Sequence, residues 1–226
     1  MLHRPVPWAV LIVSFLFNAP LTSMADAFDD ELARQEALER QLSAVNEGRL
    51  AFLSRRPPGP PVHHQHTRVI VGDDSLQSGW VGLQQCHTHL DAVASTEIVF
   101  NPERVTELRV DSHAGIGDIV IDGSRVQLRD VGENARLCIS TRSRALRQDE
   151  TGKYVLRNGP FLRRFLDGYY PMHVSMEVSW PAQALRFVAA SPAPQPGFEV
   201  TTAGTQLHVE AWFEGRLVTE LKFEPA

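Results

Sequence analysis

The chain has 226 residues, 22 basic and 27 acidic for a formal net charge of -5, 43% hydrophobic residues and two cysteines. Charges of both signs are interspersed, and no basic stripe dense enough to neutralise a phosphate backbone is present, so nucleic acid is not an expected partner. The length suits one large domain or two small ones, each able to bury a core.

Residues 1–27 read as a cleavable secretory signal. Arg4 supplies a basic start, Trp8 to Phe17 form an uncharged run, and Ala25-Asp26-Ala27 is a small-residue cleavage pattern. That run is shorter than the about 20 residues a helix needs to cross a hydrocarbon core, so no transmembrane span is expected once the signal is removed. The expected location is periplasmic or secreted. In an oxidising compartment an even, small cysteine count implies a disulfide, here between Cys86 and Cys138.

Residues 28–53 are predicted to form an N-terminal amphipathic helix. Asp29 or Asp30 caps it, Leu38, Leu42 and Val45 recur at helical spacing, and Glu36 and Arg40 pair one turn apart. Leu50 and Leu53 extend the stripe less regularly, beyond a Gly48 that loosens or ends the helix. Such a stripe lies against the domain that follows or serves a partner. Residues 54–66, rich in proline and histidine, form a stiff linker that cannot continue a helix.

From residue 67 the pattern changes to short alternating or β-branched runs punctuated by Gly, Pro, Asn and Asp, so the chain is expected to be mainly β. Sliding the sequence against itself by about 80 residues brings Glu97, Ile98 and Phe100 over Glu177, Val178 and Trp180. The same shift lays 117–128 over 197–209 with one extra residue. The expectation is two tandem β-sandwich-like modules, 67–147 and 153–226, as an internal duplication. The competing reading is one larger sandwich with echoes of common strand and turn chemistry.

The joint between the modules, residues 156–173, is dense in aromatics and arginines. Pro160 suits the first turn of a helix and Gly168 its end, so a hinge helix is expected. Its aromatics close the ends of both cores, or else Phe161, Arg163, Arg164, Tyr169 and Tyr170 present a ligand surface in which rings stack and guanidinium groups hold an anion.

The segment QQCHTHLD, residues 84–91, puts sulfur and nitrogen donors close together. With His63, His64 and His66 it offers a zinc or copper set of Cys86, His87 and His89, the two histidines sharing one face of an extended strand. A disulfide to Cys138 removes the thiolate, so no metal or other cofactor is expected. The sequence carries no nucleophile elbow, zinc-protease motif, phosphate loop, haem attachment or calcium loop. The expected function is a non-enzymatic binding module for an envelope component or protein partner. A hydrolase or transferase with its site scattered over strands is the alternative, and a metal-binding protein the third reading.

Overall fold

The computed structural model describes residues 48–226, which fall within one compact unit, Val45–Ala226. The expected signal and the helix expected from residue 28 lie outside the described residues as far as residue 47. The end of that helix segment is corrected: Ala51–Phe52 is a strand, β1, not helix. Leu50 and Phe52 pack on the core, so their apolar side chains serve a sheet edge rather than a helical stripe. The linker also ends earlier than expected, because His64–His66 already belong to a strand.

The described residues hold fifteen strands and one helical turn, α1 (Ser75–Ser78). After β1 come β2 (His64–Ile70), β3 (Trp80–Thr88), β4 (Val93–Val99), β5 (Val105–Asp122), β6 (Arg125–Arg144), β7 (Leu146–Gln148) and β8 (Tyr154–Phe161). They are followed by β9 (Arg164–Phe165), β10 (Gly168–Tyr169), β11 (Met172–Ser179), β12 (Leu185–Ser191), β13 (Phe198–Ala203), β14 (Gln206–Glu214) and β15 (Leu217–Pro225). The fold is mainly β, as the alternation requires. In β15, Leu217, Thr219, Leu221 and Phe223 are buried while Lys222 between them is exposed; in β14, Leu207, Val209, Ala211 and Phe213 are buried. A period of two places each such set on one face.

The nine-stranded sheet runs β1-β14-β11-β2-β3-β6-β4, with β13 also on β14 and β5 also on β6. A four-stranded sheet, β12-β15-β8-β7, contributes to the same core. That core mixes Val69, Leu83, Met176 and Val209 of the large sheet with Leu156, Leu221 and Phe223 of the small one, in a sandwich-like arrangement. Removing a fully buried Phe or Leu side chain from water contributes roughly 1.5–3 kcal/mol. A second cluster, with Leu128, Leu137 and Ile139 at its centre and Ile98 and Ile119 against it, lies under β4, β5 and β6.

Pairing in the two sequence halves runs in parallel. β4 lies on the first part of β6 with Ile98 opposite Val126, and β11 lies on β14 with Val178 opposite Leu207. The far half of β5 joins β6 through a two-residue turn, Gly123-Ser124, and β13 joins β14 through Gly204-Thr205. Both glycines have φ near +60° (58° and 59°), which a side chain resists. The near half of β5 pairs the end of β6 with a register shift after Thr106, and β12 pairs β15 with one after Phe187. β5 and β6 are long and stay in one sheet, whereas β12 and β15 lie in the small sheet and β13 and β14 in the large one. β11 and β2 pair in parallel, with His173 beside His64, so strands of both segments share one sheet and one core.

The hinge helix expected at the joint is corrected as well. Residues 154–161 are β8 and the remainder is a small β9–β10 hairpin. Pro160 sits in a strand, and the alternation of Leu156 and Asn158 on the inner face outweighs the helix-start signal.

Candidate functional site

Strand alternation divides the histidine-rich segments between the two faces of the large sheet. In β2, Gln65, Thr67 and Val69 point inward; in β3, Val81, Leu83 and His87 do. Gln65 stands opposite His87 in the register, and His63, just before β2, places its Nε2 3.0 Å from His87 Nδ1. Burial holds His63 well below the usual imidazole range, at about 4, with Asp91 opposing the shift and Arg163 adding to it. Burial likewise pushes His87 well down, with the charges of His63 and His64 adding to it. Both rings are therefore neutral at pH 7, one donating its proton to the other.

These two rings line a cleft of about 610 Å³. It opens where β8 ends over β2 and β3, beside β4, with Phe100 packed on both hydrophobic clusters. Leu83, Leu90, Ile98 and Phe161 supply apolar wall. Two buried polar atoms belonging to lining residues have no hydrogen-bond partner: His87 Nε2 and Asn158 Nδ2. His87 is 3% exposed and Asn158 7%. A third orphan, Thr219 Oγ1 on β15, stands opposite Asn158 on the neighbouring β8 but does not line the cleft. Asn158 carries two amide protons, so a contact with Thr219 would still leave one unpaired. An orphaned buried group costs about 1–3 kcal/mol, and two at one cleft are what a ligand with matching groups would repay.

One wall of the cleft is fixed by an ion pair. Arg163 Nε donates to Asp91 Oδ2 at 2.9 Å, Nη2 to Oδ1 at 2.5 Å, and Nη1 to Pro171 O at 3.2 Å. The guanidinium lies 5.5 Å from the Phe165 ring centroid and 5.6 Å from that of Tyr170. Three of its five N–H groups thus hold the β9–β10 hairpin to the segment after β3.

The expected ligand surface divides accordingly. Phe161, Arg163 and Arg164 line the cleft; Tyr169 and Tyr170 do not. Phe161 is buried, Phe165, Tyr169 and Tyr170 are half-buried, and Arg164 reaches solvent over the Tyr169 ring. Tyr170 donates its hydroxyl to Asp167, which raises its pKa. The joint therefore supplies both an anchor and part of the cleft wall.

Cys86 and Cys138 face each other across β3 and β6 and form a disulfide, with Cα atoms 4.1 Å apart. It lies on the outer face, away from His87. The same face carries a stack: His173 is 4.0 Å from Trp212 on one side and 4.0 Å from His64 on the other. Ser175 Oγ is shared by His64 Nε2 at 2.7 Å and His66 Nδ1 at 2.9 Å, while Glu210 takes His173 and His208. Burial lowers the pKa of His64 to about 4, and the neighbouring His173 adds to this. The expected pairing of His87 and His89 on one strand face is corrected. β3 ends at Thr88, His89 adopts φ 54°, and its ring meets Asn134 Oδ1 at 3.4 Å while His87 turns inward. Among the described residues no three His, Cys, Asp or Glu side chains are grouped to hold a metal.

Asn158, Arg104 and Arg144 also line this cleft and were not singled out as site residues in the sequence, whereas Asp91 closes the segment QQCHTHLD. Asn158 did leave a signal: a polar residue two places after Leu156, at an inward position of a strand.

No family model and no curated protein sequence matches the chain. Among solved structures it is similar to an M1 zinc metallopeptidase from Deinococcus radiodurans. With a bound Tyr-Ser-Ala substrate the identity is 14% over 70% of this chain and 41% of that one, TM-score 0.36. A further structure of that enzyme gives 13% identity over 80% of this chain and 43% of the other, TM-score 0.36. The chain thus spans less than half the length of these proteins, and similarity this low carries no conclusion about activity.

Proposed function

We propose that this chain is an exported, non-enzymatic binding module whose ligand seat is the cleft between the sheets. The observation that carries the reading is the pair of buried, unpartnered atoms, His87 Nε2 and Asn158 Nδ2, at one 610 Å³ cleft of mixed polar and apolar wall. Export is supported by the signal-like residues 1–27, and the Cys86–Cys138 disulfide is compatible with an oxidising compartment. The matching strand pairings of the two halves support an internal duplication in which one copy stays in the large sheet and the other is split between sheets.

A second reading draws on the His63–His87 pair, since a neutral imidazole is the form that acts as a general base. It suits a hydrolase or transferase. Against it, the only side chain hydrogen-bonded to His87 among the described residues is His63, and no Ser, Thr or Cys is held there as a nucleophile. Native mass spectrometry on the full chain purified from its own compartment tests the binding reading. A small molecule released on denaturation, and missing from Asn158→Leu protein, supports it. A chain that carries nothing and binds no member of a fragment set near His87 or Asn158 counts against it.

A further inference from the structure

We infer that the cleft seats a neutral saccharide, its hydroxyl groups meeting an uncharged floor of Gln65, Gln85, His87 and Asn158 and its C–H faces lying on the apolar wall. The inference rests on the reading of the cleft as a binding seat and names the chemistry of what it takes.

Strand alternation turns polar groups of both sheets inward without a charge among them. In the large sheet Gln65 stands opposite His87, and Gln85, two residues before His87, takes the same face. In the small sheet Asn158 follows two places after the buried Leu156 on the inner face of β8. All four line the cleft, and burial holds the His87 ring neutral at pH 7. The charged side chains around the cleft are held elsewhere. Asp91 is taken by Arg163, Glu97 by Arg125 at 3.5 Å, and Arg157 by Glu220 at 3.0 Å. Arg144 stands on the outer face of β6 with Cys138 and Arg142, its side chain beside Gly79. Arg104 and Arg164 are exposed, Arg164 over the Tyr169 ring.

Such a floor selects against both charged and purely apolar ligands. A charged head seated on it would give up water and find no counter-charge there, and an apolar body would leave the two orphaned atoms unpaired. Asn158 Nδ2 calls for an acceptor. His87 Nε2 calls for a donor or an acceptor, according to which ring gives the proton in the 3.0 Å contact with His63. A hydroxyl is both, so it answers either tautomer. The amides of Gln65 and Gln85 each carry a donor and an acceptor, and Gln65 gives one proton to Thr67 at 3.2 Å. Polar groups spread over β2, β3 and β8 call for several hydroxyls on one body. Leu83, Ile98 and Phe100 supply the apolar surface that the C–H faces of a sugar ring cover.

The test is an NMR titration of the isotopically labelled full chain. The probes are cellobiose, maltotriose and diacetylchitobiose as neutral saccharides, digalacturonate as a charged one, and acetyl-Ala-Ala-amide as a neutral peptide. At least one neutral saccharide is expected to shift the Asn158 side-chain amide and the His87 ring, and to bind about tenfold or more tighter than digalacturonate. Added salt should leave that affinity unchanged, because no charge is screened. In Gln85→Leu protein, altered at a half-buried position and checked for fold by circular dichroism, the affinity should fall about tenfold. Digalacturonate binding as tightly as the neutral saccharides, or affinity lost in salt, overturns the neutral seat. Saccharide affinity that survives Gln85→Leu overturns the floor. If no saccharide shifts either group, the saccharide assignment fails. The cleft reading survives that result where the peptide or a member of the fragment set shifts Asn158 or His87, and fails with it where nothing does.

Discussion

Replacing Asn158 with leucine should make the protein more stable and end ligand binding. Asn158 is 7% exposed, its Nδ2 has no partner, and leucine has nearly its shape. A buried donor without an acceptor costs about 1–3 kcal/mol, and an apolar replacement of similar shape removes that cost without opening a cavity. Thr219 Oγ1 opposite it is already unpartnered, so the substitution breaks no hydrogen bond there. The expected gain is about 1–2 kcal/mol, or roughly 2–8 °C in Tm for a domain of this size. Urea unfolding followed by circular dichroism, with the m-value checked for constancy, measures it. A loss of more than about 1 kcal/mol would refute the reasoning, because it would mean that the amide makes a stabilising bond in the folded chain. Stability gained where binding is lost is the usual sign of a group kept for function.

Acid should weaken the fold through the inner histidines. His63 has a folded pKa of about 4 against 6.5 for the free ring, so the unfolded chain takes up the proton first. Stability is then unaffected above pH 6.5 and falls as pH drops from there toward 4, by about 3 kcal/mol for His63 alone. A His63→Gln variant should flatten that part of the pH–stability curve, and an unchanged slope would contradict the assignment. Thiol titration of the denatured, unreduced protein should find no free cysteine, and Cys138→Ser should cost up to about 4 kcal/mol for a closed loop of 52 residues. Gly197→Ala should cost about 1–3 kcal/mol, since Gly197 has φ 83° and an added Cβ would sit 2.4 Å from the Leu53 carbonyl oxygen. A neutral result there would place the segment carrying β1 away from β14.

The strands and the disulfide were legible because both depend on local pattern. Alternation such as Leu217, Thr219, Leu221 and Phe223 marks a half-buried strand wherever it sits. Two cysteines leave one partner each. The interlocking of the halves was not legible. It depends on β11 and β2 pairing in parallel and on whether long strands stay in one sheet or divide between two, which are long-range choices without a local signal. The joint was misread for the same reason. Pro160 and Gly168 frame a helix locally, but Asn158 and Phe161 are drawn inward by a core that is distant in sequence. The cleft was half visible. His63 and His87 stood out by residue type, and the inward turn of His87 follows from its register opposite Gln65. Asp91 gains its meaning only from its partner across the fold, Arg163.

A high-resolution crystal structure of the full chain isolated from its own compartment tests the central claim most directly. The account predicts an organic molecule in the cleft, with acceptor atoms within hydrogen-bond distance of Asn158 Nδ2 and a polar atom at His87 Nε2. Ordered waters alone, satisfying both atoms, would contradict it.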